Sequence, residues 1–565
     1  MKTRTKTPSA TVTKTPSFFS SLATKHRYSF VLIILVGLLL YSHTLKFDYT
    51  NMDDKTLIAD DKAFVSKLAS IPKAFQLDVF KEKGGTFYRP IFVSSLIVDG
   101  TLGKMSLKVY HFSNIVFHLL SACLLLLLLV KLGIRKEVAL LLSLALTVHP
   151  ALVQAVAWIP GRNDSLLAVF VLSSFICLMN YIKTEKGIQL FLHLLFFCLA
   201  LFTKETAIVL PLLYLLMLKF WGNRPLISKS NVVALSAWGV SILVLIVARN
   251  HAIQTSQGAH PVEFLANIPN NLPALLLYAG KILLPFNLSV MPTIADSSIV
   301  YGVLTILFIA SLFFITRTKF SLLAWFGTCW FVAFLLPVLV VPKESAFFYE
   351  QRLYLPLIGV FILLSELTIG NRTAKWYRTF NLVAIASCLV FIPLNYVYSL
   401  NFSDKLSFWG NATKTSPNSV YVNKIAASVY YKDGNLDMAE TLYIKAKDLN
   451  PNEPSINNDL GIIYKDRQAW DKAISCFLAE IQITPSSDKA YYNLAYVYYS
   501  VHRLEDAEKN FEKVISLNPE YTDAYQSLAL VNADLKDFEK ARYYTAEAQK
   551  RGVQVPPDFL KAIQM

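Results

Sequence analysis

Two adjacent carboxylates, Asp53 and Asp54, stand about seven residues beyond an apolar block that runs from residue 29 to 46. Just above a bilayer such a pair can deprotonate an acceptor hydroxyl or amide, ligate a divalent cation, or merely solvate a loop. The pair alone leaves all three readings open, because Asp60 and Asp61 follow in the same loop. Other polar residues recur at the ends of later apolar blocks. Arg89 stands where the chain returns toward the bilayer, and Tyr110-His111 opens the next block with Asn114 and His118 below. His149, Trp158, Arg162, Asn163 and Asp164 follow, then Lys204-Glu205, then Glu350, Arg352 and Tyr354. Such residues facing lipid would be costly, so they predict a polar, water-accessible cavity.

Plainer roles compete at single positions. Arg162 with Asp164, or Glu350 with Arg352, reads equally as an ion pair locking helix ends, His118 as a helix-to-helix hydrogen bond, and Lys204 as a snorkelling side chain. Accumulation is what these roles explain poorly, since Arg89 has no sequence-local partner and Lys343 has only the adjacent Glu344. A lipid-linked phosphate is the anion expected at that depth, paired bidentately by arginine while its tail stays in the bilayer. No phosphate-binding glycine loop, CxxC pair, HExxH or GxSxG string occurs, which removes the common ATP-driven, redox, zinc-protease and serine-hydrolase motifs.

The elements that must hold these groups are membrane spans. Hydrophobic residues make up 54% of the chain and mean hydropathy is +0.43, with the apolar residues in blocks of membrane-spanning length. Eleven spans are expected near 29-46, 107-130, 137-156, 164-182, 187-203, 205-220, 230-249, 299-316, 320-341, 352-370 and 379-397. The stretch 272-291 carries Lys281 and Pro285 and is expected to re-enter or lie at the interface. Short basic loops at Lys131/Arg135/Lys136, Lys183/Lys186, Lys219/Arg224/Lys229, Arg317/Lys319 and Arg372/Lys375/Arg378 fall on the side of the basic tail 1-28. That side is expected to be cytoplasmic. The domain 29-399, with its loop 47-106, then delivers residues 400-565 to the extracytoplasmic side through an odd number of spans.

The net charge of +15 does not mark a nucleic-acid binder. From residue 400 onward 19 Lys/Arg face 22 Asp/Glu, so the excess lies in the membrane part, where it suits inside anchoring. Five of six cysteines lie in apolar spans, which leaves no disulfide framework. The first span is expected to be an anchor and not a removed signal.

The C-terminal part has a second rhythm. Pro417, Pro451, Pro485 and Pro519 recur every 34 residues, and Ala439, Ala473 and Ala507 precede the last three by 12. That period is the tetratricopeptide length, so three to four helix-pair units are expected, with a fourth, from about Thr522, as a frayed cap. Asn457, Asn458, Tyr491, Asn493 and Tyr525 are candidates to line the concave groove and hold an extended acceptor. The linker from Asn401 to Lys414 reads as short and polar.

The strings MDDKTLI, FYRP, YHFSNIVFHLL, HPALVQAVAWIPGRNDSL, TKETAIVLPLL, LLYAGKILLPFNLSV and EQRLYLP together resemble the GT-C membrane glycosyltransferases. The likeness is to the transmembrane and tetratricopeptide repeat-containing O-mannosyltransferase-like proteins and their bacterial relatives, over essentially 29-360. It implies an all-α polytopic GT-C-like bundle followed by a tetratricopeptide α-solenoid. The activity it implies is inverting transfer of a sugar from a polyprenyl-phosphate-linked donor to Ser/Thr hydroxyls of an extracytoplasmic protein or peptide. By this resemblance Asp53 matches the catalytic base with Asp54 second, and Arg89, His111, His149, Arg162, Asp164, Lys204, Glu205 and Arg352 match donor-phosphate or cavity positions. No obligatory cofactor is expected, because Arg and Lys can neutralise a monophosphate leaving group, with Mg²⁺ or Mn²⁺ at the Asp53/Asp54 loop as the option. Gln351 between Glu350 and Arg352 departs from the pattern, and the short solenoid points to a bacterial inner membrane. A ligase or oligosaccharyltransferase using a lipid-linked oligosaccharide, and a non-catalytic membrane-anchored scaffold, are the alternatives.

Overall fold

The computed structural model describes residues 26–81, 87–221, 229–253, 266–340, 347–368 and 374–563. Lys343, Arg224, Arg372 and the tail through Lys25 lie outside them. The chain divides into two compact, helical units, Met1–Asn411 and Ala412–Met565.

In the first unit, helix ends follow from local chemistry. Leu107–Lys131, 25 residues long, spans about 37 Å at the ~1.5 Å rise of an α-helix, enough to cross a bilayer core. It stops because Gly133 adopts φ +86°, letting the Ile134 amide donate to Leu129 O and the Gly133 amide to Val130 O, a Schellman close. Lys136–Val148 stops because His149 precedes Pro150 and is pushed to extended backbone, φ −66° and ψ 122°. The chain continues only as short turns through Pro150–Ala157, bent by 55°.

These breaks correct the expected count of eleven spans. Among the described residues seven helices are long and apolar enough to cross a membrane, eight if the bent pair counts as one. The blocks at 187-203 and 299-316 form the shorter helices Gly187–Thr203 and Val300–Ile315, and extended backbone at Lys204 precedes Leu210–Trp221 of 12 residues. Hydropathy sums over a block and does not register where its backbone turns. The 272-291 stretch holds Pro273–Leu283, 11 residues and about 16 Å, too short to cross.

Three of the five basic loops come together. The Arg135 guanidinium sits 4.8 Å from the Tyr377 ring, and Lys131 Nζ donates to Asn180 Oδ1 at 2.6 Å. The opposite face carries Asp53. There the Asp48 amide donates to Ser403 O at 2.8 Å and Trp409 Nε1 to Thr50 O at 3.1 Å, so the last membrane helix ends beside the first loop. This corrects the polar-linker reading of 401–414. Lys405–Thr415 is a helix with Phe408 and Trp409 fully buried, which carries the first unit past residue 400 to Asn411.

Two membrane helices touch through glycine. A Cβ on Gly327 of Leu322–Leu339 would stand 2.5 Å from the Gly359 carbonyl on Tyr354–Ser365, and one on Gly359 would meet the Gly327 carbonyl. Small residues permit such close approach where lipid offers no hydrophobic drive. Gly327→Leu is expected to destabilise the bundle by about 1–3 kcal/mol, the usual overpacking cost. A lowered midpoint of thermal unfolding in detergent would register it.

The second unit is four helix pairs: Val420–Lys432 with Leu436–Leu449, Ile456–Asp466 with Trp470–Ile483, Asp488–Ser500 with Leu504–Leu517, and Thr522–Asp534 with Phe538–Lys550. Ala439, Ala473, Ala507 and Ala541 are all fully buried, where small side chains let paired helices close, and Tyr443, Phe477 and Phe511 fill the gap beside them. The fourth unit is therefore a complete pair, with Tyr544 supplying the aromatic one position earlier. Gly434, Gln468, His502 and Lys536 occupy one register of the four intra-pair turns, all with positive φ, and only the first is glycine.

Candidate functional site

The first loop places its two carboxylates in different situations. Asn51, at φ 56°, turns the chain so that the Thr50 amide and hydroxyl donate to Asp54 Oδ2 at 2.7 and 2.9 Å and the Met52 amide to Oδ1 at 3.2 Å. Both Asp54 oxygens are thus engaged in holding the turn. Burial raises its carboxyl, and these hydrogen bonds pull the other way. Thr50 is held in turn by Trp158, whose Nε1 donates to Thr50 Oγ1 at 3.2 Å.

Asp53, next to it and partly buried, accepts no hydrogen bond among the described residues. Burial, then the Asp54 charge, push its carboxyl up to about 6, against the pull of Arg89. A carboxylate that is basic, unencumbered and close to a guanidinium is equipped to take a proton.

Arg89, without a partner nearby in sequence, finds one across the fold. Its Nε donates to Glu205 Oε2 at 2.8 Å and its Nη2 to Oε1, a bidentate pair across the fold. It also interacts electrostatically with Asp164 and Asp53. Burial works against the charged Arg89, but these carboxylates outweigh it and hold the group strongly basic. Lys204 Nζ donates to Asp164 Oδ1 at 2.6 Å and reaches Asn163 Oδ1 at 3.4 Å. Asp53, Arg89, Asp164, Lys204 and Glu205 therefore form one charged cluster, assembled from the first loop and the starts of Arg162–Thr184 and Glu205–Val209.

The two expected ion pairs are exchanged for others. Arg162, fully buried, pairs with Asp99 and also donates to Asn114 Oδ1 and Tyr110 O, each at 2.7 Å, while Asp164 belongs to Lys204. Glu350 pairs with Lys281 at 2.5 Å and accepts from the Ser289 amide at 2.9 Å. Arg352 donates to Phe347 O at 3.0 Å and lies over the Tyr349 ring. Tyr278 feels Arg352, Asp164 and Glu350 together, which brings this second group beside the first.

Two of the histidines bond to the framework. His149 accepts from the Ala151 amide through Nδ1 and meets Ile282 O at 3.0 Å through Nε2, capping a short turn after the proline break. His118 bridges Tyr354 Oη at 2.7 Å and Thr147 O at 3.1 Å, the interhelical role that sequence allowed. His111 is buried edge-on to Phe47. Sequence reasoning missed Asp99, Thr50 and Trp409. A lone acid inside PIFVSSLIVDGTL was the available signal for Asp99, whereas nothing local marks Thr50 or Trp409.

Among the described residues no three His, Cys, Asp or Glu side chains converge as a metal-binding set.

In the second unit the groove candidates divide. Asn457 and Tyr525 are buried, the latter donating to Pro519 O at 3.1 Å. Asn493 Nδ2 donates to Asn458 Oδ1 at 2.9 Å, stitching adjacent pairs. Tyr491 lines a cleft of about 450 Å³ with Lys509, Asn510, Glu512, Lys513 and Ser516.

A family model described as tetratricopeptide repeat matches residues 488–521, the third helix pair. The mouse protein O-mannosyl-transferase TMTC3 is 28% identical over 138 residues, which is 24% of this chain and 14% of that protein's length. Among solved structures, MamA from Desulfovibrio magneticus RS-1 matches at 19% identity and TM-score 0.25, covering 32% of this chain and 94% of that one. PilF of Pseudomonas aeruginosa matches at 19% and 0.26, covering 28% and 74%. The chain is a polytopic membrane protein with a C-terminal tetratricopeptide unit.

Proposed function

We propose that the protein is an inverting, GT-C-like glycosyltransferase that moves one sugar from a polyprenyl-phosphate donor to Ser/Thr hydroxyls of extracytoplasmic proteins. The observation that carries the reading is Asp53, a carboxylate free of hydrogen bonds, with its carboxyl pushed to about 6 beside Arg89. The partial likeness to an O-mannosyl-transferase supports sugar transfer.

On this reading Asp53 takes the acceptor hydroxyl proton. The freed oxygen bonds to the anomeric carbon as the bond from that carbon to the phosphate oxygen breaks, and polyprenyl phosphate leaves. Arg89 and Arg352 meet the charge that builds on the phosphate, the electrostatic work expected of preorganised cations. Arg89 must loosen from Glu205 as the phosphate arrives, so the pair holds the guanidinium in place between turnovers. No step passes through a metal ion. The clustering of Lys131, Arg135 and residues near Tyr377 on the face opposite Asp53 supports an extracytoplasmic site.

The test is reconstitution in liposomes with polyprenyl-phosphate hexose and a Ser/Thr-containing protein. Gain of one hexose, measured by mass, supports the reading, while transfer of a whole oligosaccharide would replace it with the ligase alternative. A second reading, a non-catalytic membrane scaffold, is favoured by the tetratricopeptide match at 488–521. A scaffold has no reason to hold the donor, so failure of the purified protein to bind any polyprenyl phosphate would decide for it.

The solenoid is assigned to acceptor capture. Removing residues 415–565 is expected to weaken transfer to folded protein at least tenfold more than transfer to a short peptide. Equal loss on both acceptors would show that it supports the bundle instead.

A further inference from the structure

Glu350 Oε2 and two further buried oxygens in or beside the charged cluster accept no hydrogen bond among the described residues. The two are Asp164 Oδ2 and Gln351 Oε1, which have no hydrogen-bond partner among the described residues, although Asp164 Oδ1 is met by Lys204. Both residues are only 5% exposed. Native interiors leave few acceptors unpaired, and each one that is costs stability unless something comes to fill it.

The two oxygens share one neighbourhood. Gln351 Oε1 lies 3.0 Å from where a Cβ would stand on Gly161, three residues before Asp164, and such a Cβ would also strike the Gln154 carbonyl. Glycine is what lets Gln154 and Gln351 pack this closely against the start of the Asp164 helix. The backbone on either side of Gln351 is fixed, since the Glu350 amide donates to Gln154 Oε1 at 3.1 Å and the Arg352 amide to Tyr349 O at 3.1 Å. The Trp158 indole, which holds Thr50 in the Asp53 loop, also packs against the Tyr349 ring, with centroids 6.1 Å apart.

The nearby donors are already in use. Lys204 serves Asp164 and Asn163, Arg162 serves Asp99, Asn114 and Tyr110, and Arg352 serves Phe347. What is missing is a ligand that donates. An ionised phosphate has no hydrogen to give, and a polyprenyl chain has no polar hydrogen, but a sugar ring carries several hydroxyls.

We infer that Asp164 and Gln351 form the subsite that recognises the sugar of the donor, accepting hydrogen bonds from its ring hydroxyls while the phosphate lies toward Arg89. The inference rests on the glycosyltransferase reading and adds to it a place where the sugar is selected. Gln351, which departs from the pattern of the resembling family, becomes a specificity residue. A site built to pair a hydroxyl rejects a ligand lacking it more sharply than an apolar pocket rejects an extra group.

The experiment uses the purified full-length protein in nanodiscs and compares bare polyprenyl phosphate with the tightest-bound of polyprenyl-phosphate glucose, mannose and galactose. Gln351→Met, close in shape but without the amide oxygen, is expected to weaken the sugar lipid about tenfold and leave the bare lipid unchanged. Gln351→Glu keeps an acceptor, and its added charge acts on both phosphates, so the ratio of the two affinities should stay near the wild-type value. Equal weakening of both lipids by Gln351→Met, or of neither, would overturn the inference, the second result meaning that water satisfies the two oxygens. Wild-type protein that binds neither lipid would overturn the glycosyltransferase reading and this subsite with it.

Discussion

Asp53→Asn is expected to lower sugar transfer by about 10²–10⁴-fold, the range removed with a general base, while leaving the thermal unfolding midpoint in detergent near wild type. The second half of that expectation separates it from Asp54→Asn. Asp54 accepts three hydrogen bonds that shape residues 50–54, so its amide variant should lose activity and loosen the loop together. The pH profile gives an independent readout. With the Asp53 carboxyl pushed up to about 6 by burial and by Asp54, wild-type activity should rise as pH passes through about 6 and then level, as the base becomes ionised. The sign for stability is opposite. The folded state binds this proton more tightly than the unfolded chain, so the contribution of Asp53 to stability falls as pH rises from about 4 through about 6. Full transfer activity in Asp53→Asn would remove this residue from the mechanism.

Arg162→Met is expected to cost about 3–5 kcal/mol of stability, because it leaves the buried Asp99 carboxylate without its partner. Asn114 Oδ1 and Tyr110 O lose donors in the same change, so three groups are stranded by one substitution. Arg162→Met with Asp99→Leu, which removes both charges, should recover much of the loss. A double-mutant cycle on unfolding midpoints measures the coupling, and additive effects would show that the pair is not what holds these helices.

Repetition and composition made part of this legible. Buried alanines at 439, 473 and 507 follow directly from the 34-residue beat, because every unit meets the same packing problem. The grouping of polar residues at one face was legible too, since lipid leaves them nowhere else to go. Partner choice was not. Arg162 is only two residues from Asp164 in sequence, yet both lie in the first turn of a helix, where residues two apart point away from each other. Arg162 reaches Asp99 and Asp164 receives Lys204, pairings that depend on how helices dock. The span count failed for a related reason. Average hydropathy does not see the extended residues His149 and Lys204, each of which ends a helix inside or beside an apolar block.

The hydrogen bonds from Asp48 to Ser403 and from Trp409 to Thr50 join the beginning and end of the membrane unit. Chain ends are ordinarily where a domain frays first, each on its own. Here neither can fray alone, because releasing the exit helix also removes one of the two indoles, Trp409 and Trp158, that hold Thr50, and Thr50 is what steadies Asp54. The local opening of lowest free energy at this end of the fold is therefore one that also disorders the carboxylate pair. Order at Asp53 and Asp54 should then be lost at a lower temperature than helical content, so circular dichroism alone would overstate how long this end of the fold keeps its shape.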